Sequence, residues 1–209
     1  MPQPKSKPKD EEDSATRRQI LRAAVKRFAY SGYAATSVQQ IVDDARVSKP
    51  ALYYYFKDKA GLFRALVHEA HDERYRILTT ALARHQNFRD QLEAILTGLF
   101  DNFRDNRELM RIALATMFAA PGELPENLCH LDWCERNFEL VHALFQKARQ
   151  TGELDPRFDS RELAFGFYGL ANFFLMAQLV QPGCQPDRKA AKSVVELFLA
   201  GAAAKKRGK

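Results

Sequence analysis

The chain has 209 residues, of which 46% are hydrophobic and 28% charged, and this ordinary globular composition excludes a fully disordered chain. The net charge is +6, and the whole excess lies in residues 1–64, which hold 13 Lys/Arg and 7 Asp/Glu, whereas residues 65–209 hold 19 of each. A basic N-terminal third followed by a chain of zero net charge indicates that the N-terminal third binds a polyanion. The alternatives are that these basic residues form only a solvent-exposed surface, or that they bind anionic lipid.

The spacing of apolar residues predicts an all-α protein of about nine helices, because no alternating run with hairpin signals occurs. Residues 1–13 are rich in Pro, Lys and acids, and we expect them to form a disordered arm, as we do for the basic tail 204–209. The first helix is predicted to begin at the N-cap Ser14 and to end at Gly32.

Two short helices are predicted next, within the basic third of the chain. Thr36 and Gln39 match a capping box at the start of the first, while Ser48 caps the second and Pro50 lies in its first turn. Two short helices joined by a tight turn are typical of a helix-turn-helix, whose second helix enters the major groove of DNA.

The second short helix carries residues suited to that groove. Lys49 lies at its N-terminus, where the N–H groups also attract phosphate. Tyr53, Tyr54 and Tyr55 offer hydroxyls to phosphates and ring faces to thymine methyls, and Ala51 permits close approach to a base edge. The alternative is a packed helical hairpin with half-buried tyrosines.

Asp58 is predicted to cap a long helix that runs to about His85. Further helices are predicted near residues 92–103, 107–118, 131–150, 160–180 and 187–200. The stretch 163–180 has 18 residues without a charge, which is near the lower length limit of a membrane span. We expect it instead to be buried among other helices, since it also contains polar residues.

The remaining motifs argue against catalysis and metal binding. The chain has no Gly-rich phosphate loop, nucleophile elbow or HExxH sequence, so we predict that it is not an enzyme and needs no cofactor. The pairs His68–His71 and His130–Cys134 do not have zinc-site spacing, and we predict no metal. Three cysteines make no disulfide framework, and no secretory signal is evident, which indicates the cytoplasm.

Two segments carry a resemblance to a known family. Residues 36–42, TSVQQIV, and residues 47–63, VSKPALYYYFKDKAGLF, resemble the DNA-binding domain of tetracycline-repressor-type (TetR-family) regulators, and the likeness covers about residues 14–65. Arg46 stands in the turn where the family usually has Gly. If that position keeps a left-handed backbone, Arg46 costs about 1 kcal/mol relative to Gly.

The resemblance implies a dimeric repressor with a DNA-binding domain at 14–60 and a regulatory and dimerisation domain at 61–203. It implies a palindromic double-stranded DNA operator that is released when a small, lipophilic effector binds. The residues that it places at DNA are Thr36, Ser37, Gln39, Ser48, Lys49, Pro50, Ala51, Tyr53, Tyr54, Tyr55 and Lys59. The alternative is a nonspecific DNA-associated protein without an effector.

Two features of the body agree with this resemblance. The helices near 160–180 and 187–200 are apolar enough to pair with a second copy in a four-helix interface, so we expect a homodimer without a membrane partner. Aromatic and Met side chains of the middle helices, with polar anchors, are the candidates for an effector pocket, although aromatics at helical spacing are also typical of core. The candidates are Phe100, Phe103, Met110, Met117, Trp133, Phe138, Tyr168 and Asn172.

Overall fold

The computed structural model describes residues 9–120, 122–126, 128, 130–181 and 183–202. Over these residues the backbone forms nine α-helices and no strand, as predicted. The helices are α1 (Lys9–Ala35), α2 (Val38–Ala45), α3 (Lys49–Phe56), α4 (Lys59–Arg84), α5 (Phe88–Asp105), α6 (Arg107–Thr116), α7 (His130–Gln150), α8 (Ser160–Val180) and α9 (Arg188–Ala202).

The described residues form two compact units. Unit 1 takes its residues from 9–70 and 108–128, and unit 2 takes its residues from 71–107 and 130–202. Unit 1 therefore contains α1, α2, α3 and most of α6, while α4 begins in unit 1 and ends in unit 2. The functional domains expected at 14–60 and 61–203 divide the chain differently and stay a prediction.

The first helix begins earlier than its sequence indicates. It starts at Lys9, so Ser14 lies inside the helix, and residues 9–13 of the expected disordered arm form its first turns. Asp13 anchors this end, because its Oδ1 accepts a hydrogen bond of 2.8 Å from the Tyr55 hydroxyl. Gly32, at φ 77°, interrupts the helix as predicted. The rest of the arm, 1–8, and the tail 204–209 lie outside the described residues.

Unit 1 contains an aromatic cluster that joins the start of α4 to α1, and each of the short helices buries an apolar side chain. The Phe63 ring lies edge-on to Phe28 at 5.1 Å and to Tyr33 at 5.0 Å between centroids. Ile41 of α2 and Leu52 of α3 are both fully buried. Burial of such side chains contributes about 1.5–3 kcal/mol each, which fixes which faces of α2 and α3 remain in solvent.

Unit 2 is a bundle in which α7 packs on α8 and α5 packs on α9. Phe145 of α7 contacts the rings of Phe88, Phe167 and Phe198 at 5.2, 5.8 and 5.8 Å between centroids. α8 is the one helix of the described residues that is long and apolar enough to cross a membrane by length and composition alone. Only 28% of its most apolar stretch is buried, so much of this helix presents apolar surface.

Candidate DNA-binding and effector sites

The capping box at the start of α2 lies one residue later in the sequence than was predicted. Ser37 is the N-cap of α2: its Oγ accepts from the Gln40 N–H at 3.2 Å, and the Gln40 Oε1 accepts from the Ser37 N–H at 2.8 Å. The predicted pair Thr36 and Gln39 is therefore wrong. Thr36 is only 1% exposed, and its hydroxyl donates to the Gly32 carbonyl at 2.7 Å.

The turn between α2 and α3 is a Schellman motif, in which a left-handed residue follows the end of the helix. The Val47 N–H donates to the Val42 carbonyl at 3.0 Å, and the Arg46 N–H donates to the Asp43 carbonyl at 3.2 Å. Arg46 has φ 54° and ψ 44°, so this position does keep the left-handed backbone. The arginine side chain is exposed beside the turn.

α3 presents a mixed polar and aromatic surface to solvent. Ser48 is its N-cap, as predicted, and accepts from the Ala51 N–H at 3.3 Å. Leu52 and Phe56 are buried against unit 1, and Ala51 is half-buried between the two faces. The exposed side chains, which we call the recognition face, are Lys49, Pro50, Tyr53 and Tyr54.

Like Thr36, two further residues that were predicted to contact DNA form hydrogen bonds within the protein. Lys59 Nζ donates to the carbonyls of Tyr33 and Thr36 at 3.0 and 2.9 Å, and it lies 4.3 Å from the centroid of the Tyr33 ring. The hydrogen bond from Tyr55 to Asp13 raises the pKa of Tyr55. Both side chains therefore tie parts of unit 1 together, a role that their positions in the sequence did not reveal.

The start of α2 adds a second exposed patch beside the recognition face. Ser37 and Gln39 are both exposed, and Gln39 Nε2 donates to Asp43 Oδ1 at 2.7 Å. The side-chain carbonyl of Gln39 and the N–H groups of this first turn suit phosphate or base contacts. α1 contributes exposed cations at Arg17, Arg18, Arg22 and Lys26.

Residues 20–66, which include the whole helix-turn-helix, match the family described as bacterial regulatory proteins, tetR family. The HTH-type transcriptional regulator BetI of Stenotrophomonas maltophilia is 32% identical over 142 residues, which cover 59% of this chain and 70% of BetI. The chain belongs to the TetR family. It is a DNA-binding transcriptional regulator of that family, and regulators of this family are not enzymes.

Other matches differ in how much of each chain they cover. The regulator YuxN of Bacillus subtilis is 28% identical over 95 residues, which are 46% of this chain and only 33% of YuxN. In structure, the fatty acid degradation regulator FadR of Bacillus halodurans superposes with a TM-score of 0.77 at 20% identity, covering 98% of this chain and all of that one. The fold likeness thus spans both units, whereas some sequence matches cover a minor part of the relatives.

The predicted effector-pocket residues divide between the two units. Phe100, Phe103 and Phe138 are buried in unit 2. Met110 and Met117 belong to unit 1, and Met117 is 49% exposed. The other three candidates, Trp133, Tyr168 and Asn172, are half-buried in unit 2.

Tyr168 and Asn172 of α8 meet a cation of α4, Arg74, that the sequence did not single out. Arg74 of α4 lies with its Cζ 4.4 Å from the centroid of the Tyr168 ring, and its Nη2 donates to Asn172 Oδ1 at 3.1 Å. The Phe138 ring of α7 lies edge-on to Tyr168 at 5.9 Å, and the Trp133 ring lies 5.9 Å from that of His71.

A signal for Arg74 is present in the sequence. Val67, His71, Arg74, Leu78 and Ala81 are spaced by three or four residues along α4, which is the spacing of a buried helix face. A lone arginine on an apolar stripe needs a partner in the interior.

Metal binding finds no support in this part of the protein. Cys134 Sγ lies 4.0 Å from His71 Nε2, but the described residues contain no group of three or more metal-ligating side chains. Burial raises the pKa of the Cys134 thiol, although the charge of Arg74 opposes this effect. For the pair His130–Cys134, the side chain of His130 lies outside what the structure describes.

Proposed function

We propose that this TetR-family regulator is a cytoplasmic repressor that binds a palindromic operator as a homodimer and releases it when a small, lipophilic effector binds unit 2. The observation that carries the proposal is the recognition face of α3. Tyr54 is 75% exposed there, although tyrosine is usually half-buried, and Lys49 is exposed at the N-terminus of the same helix.

The proposed DNA contacts follow from exposure. The recognition face and the adjacent, half-buried Ala51 would contact base edges. Ser37, Gln39 and Ser48 lie at the N-termini of α2 and α3 and would contact phosphates or bases. Thr36, Tyr55 and Lys59 would act by holding these helices in place, because their polar atoms already bond within unit 1. Each phosphate neutralised by a cation makes binding more sensitive to salt.

A second copy of the chain is the partner that best fits the uncovered side of α8. Phe165, Phe173 and Val180 are large apolar side chains exposed along this helix, and Leu197 is exposed on α9. A Cβ added at Gly169 would meet no atom within 4 Å, so the helix surface there has room for close approach. Pairing α8 and α9 across a twofold axis would cover this surface, and a dimer is also what a palindrome requires, since its two half-sites lie about 34–36 Å apart.

The proposed switch uses the continuity of the chain. α4 carries Arg74 in unit 2 and Lys59 in unit 1, and α6 follows α5 directly, so an effector bound in unit 2 acts on helices that continue into the DNA-binding part. An effector that binds more tightly to a dimer whose two helix-turn-helix domains do not match the operator spacing would lower the fraction of protein bound to the operator. Two to three kcal/mol of differential affinity, roughly a 30- to 150-fold change, would suffice.

The test is a DNA-binding selection with the full chain, unfolded and refolded beforehand to remove any bound effector, followed by sequencing of the retained fragments. We expect one palindrome with half-sites about 10 base pairs apart, bound about a thousandfold or more tightly than random DNA. Binding without sequence preference, lost at modest salt, would contradict the proposal and indicate a nonspecific DNA-associated protein.

The dimer is tested separately by Phe173→Glu, measured by sedimentation and by operator affinity. Because this side chain is 70% exposed in one copy, the change should leave folding intact but place a charge in the proposed interface. We expect monomers and weaker operator binding. Leu131→Glu, at an equally exposed apolar position on α7, is the matched control and should remain dimeric. A dimeric Phe173→Glu protein would contradict the assignment of α8.

A further inference from the structure

The cluster around Arg74 contains a cation whose hydrogen bonds are incompletely satisfied. Guanidinium has five N–H donors and no acceptor. Nη2 of Arg74 donates to Asn172, the face of the guanidinium lies on the Tyr168 ring, and a side-chain hydrogen bond from Arg74 opposes the rise in the pKa of Tyr168. The Nε of Arg74 is buried and has no hydrogen-bond partner, as is also true of Oδ1 of Asn137, a residue that is itself fully buried on α7.

No carboxylate balances this charge within the described part of the chain. The acids nearest in sequence pair elsewhere: Asp72 with Arg136 at 2.7 Å, and Glu73 with Arg76. None of the ion pairs that the described side chains form includes Arg74.

The ionisable neighbours of Arg74 do not supply a negative charge either. Burial raises the pKa of the Tyr168 phenol, with the charge of Arg74 acting in the opposite direction, and burial likewise raises that of the Cys134 thiol. Both groups are therefore neutral near pH 7. Asn172 offers only an amide oxygen, so the side chains that contact this half-buried guanidinium in the described residues are neutral.

We propose that the effector of this regulator is an amphipathic organic acid whose carboxylate accepts hydrogen bonds from Nε and the uncommitted N–H groups of Arg74. The inference rests on the proposed function, of which it names the effector class. A planar carboxylate matches the fork of guanidinium donors and brings the missing countercharge. The apolar part of the acid would pack on Tyr168, whose ring lies against the guanidinium, and on Phe138, whose ring lies edge-on to Tyr168.

The same arrangement explains why a neutral lipophile would bind less well. It would contact the rings but leave the buried Nε–H without an acceptor, and a buried donor that loses access to water without gaining a partner is costly. A site built around a polar group discriminates strongly against analogues that lack the complementary group. The difference between an acid and its matching alcohol is therefore the measurable signature.

Trp133 makes this difference directly observable, because it is the only tryptophan of the chain and its ring lies 5.9 Å from that of His71, three residues before Arg74 on α4. The full-length protein, free of DNA, is titrated with decanoate against decanol and with benzoate against benzyl alcohol, following tryptophan emission. We expect at least one acid to bind about tenfold or more tightly than its alcohol, since charge-assisted pairing is absent from the alcohol. Equal binding of both pairs, or no saturable response to either acid, would overturn the inference.

Two variants assign the preference to the guanidinium. Arg74→Gln should abolish the advantage of the acid, and Arg74→Lys, which keeps the charge but loses the planar fork, should retain part of it. Arg76→Gln removes an exposed arginine two residues away and should change nothing. An acid preference that persists in Arg74→Gln would overturn the inference. Because the DNA selection uses no effector, failure here leaves that test of the proposed function intact, and the converse also holds.

Discussion

Replacing Arg46 by Gly should raise the free energy of unfolding and lower the affinity for operator DNA. Arg46 has φ 54° and ψ 44°, within a few degrees of the ideal left-handed conformation. That conformation costs a residue with a Cβ about 1–2 kcal/mol, and Gly pays no such penalty. Both hydrogen bonds of the turn use backbone atoms, and the side chain is exposed, so Gly would lose no buried contact.

The magnitude can be estimated from two opposing terms. Relief of the left-handed strain contributes about 1–2 kcal/mol, and the greater freedom of Gly in the unfolded chain removes about 0.4–1 kcal/mol. The net gain is about 1 kcal/mol, or a rise of about 2–4 °C in Tm for a protein of this size. The same motif closes α7 with Gly152 at φ 78°, where the Glu153 N–H donates to the Ala148 carbonyl at 2.9 Å, so glycine is compatible with it.

The assay is urea denaturation at a fixed protein concentration, combined with operator affinity across a salt series. Removing the cation should reduce the slope of log affinity against log salt by about 1, as expected for one lost phosphate contact. Arg46→Ala is the control, because it removes the charge and keeps the Cβ. It should show the weaker DNA binding without the gain in stability. If Arg46→Gly is no more stable than Arg46→Ala, the argument from backbone strain is refuted.

Three further changes test the packing and charges of the two units. Gly61→Ala should lower the free energy of unfolding by about 1–3 kcal/mol, because its new Cβ would overlap the carbonyl oxygen of Phe56. Lys59→Gln should lower it by about 2 kcal/mol through loss of two charge-assisted bonds to backbone carbonyls, while leaving the salt slope of DNA binding unchanged. The hydrogen bond from His142 holds the pKa of Glu139 below its usual value, so the carboxylate stabilises the fold above about pH 4.3 and this contribution is lost as the pH falls through the lowered pKa. Glu139→Gln should therefore lose less stability on acidification, as measured by denaturation at successive pH values.

Each of these changes has its own control and its own contrary result. Gly201→Ala, where no atom lies within 4 Å of the added Cβ, should be neutral or stabilising, and an equal loss at Gly61 and Gly201 would contradict the overlap. Lys49→Gln should lower the salt slope by about 1 without affecting stability. A lower slope for Lys59→Gln would instead place Lys59 at a phosphate. Parallel acid-unfolding curves for wild type and Glu139→Gln would show that the interactions of this carboxylate with His142 and Arg161 do not stabilise the fold.

Local patterns in the sequence were sufficient for the helices and for the position of the helix-turn-helix. Helical periodicity and a cap are properties of neighbouring residues, so Ser48 with Pro50 placed the start of α3, and the charge-free stretch placed α8 within a few residues. The density of family-typical residues between Ser48 and Phe63 was enough to indicate the TetR family.

The tertiary structure decided which polar side chains are available for function. Thr36 and Ser37 are adjacent and chemically alike, yet packing buries one hydroxyl and makes the other the cap of α2. Tyr55 meets Asp13 from 42 residues away. Arg74 meets an amide 98 residues further along the chain. Such partners are set by how whole helices pack, and no local spacing encodes them. The spacing along α4 could therefore mark Arg74 as a cation on a buried face, but only the packing of α4 on α8 shows that Tyr168 and Asn172 meet it.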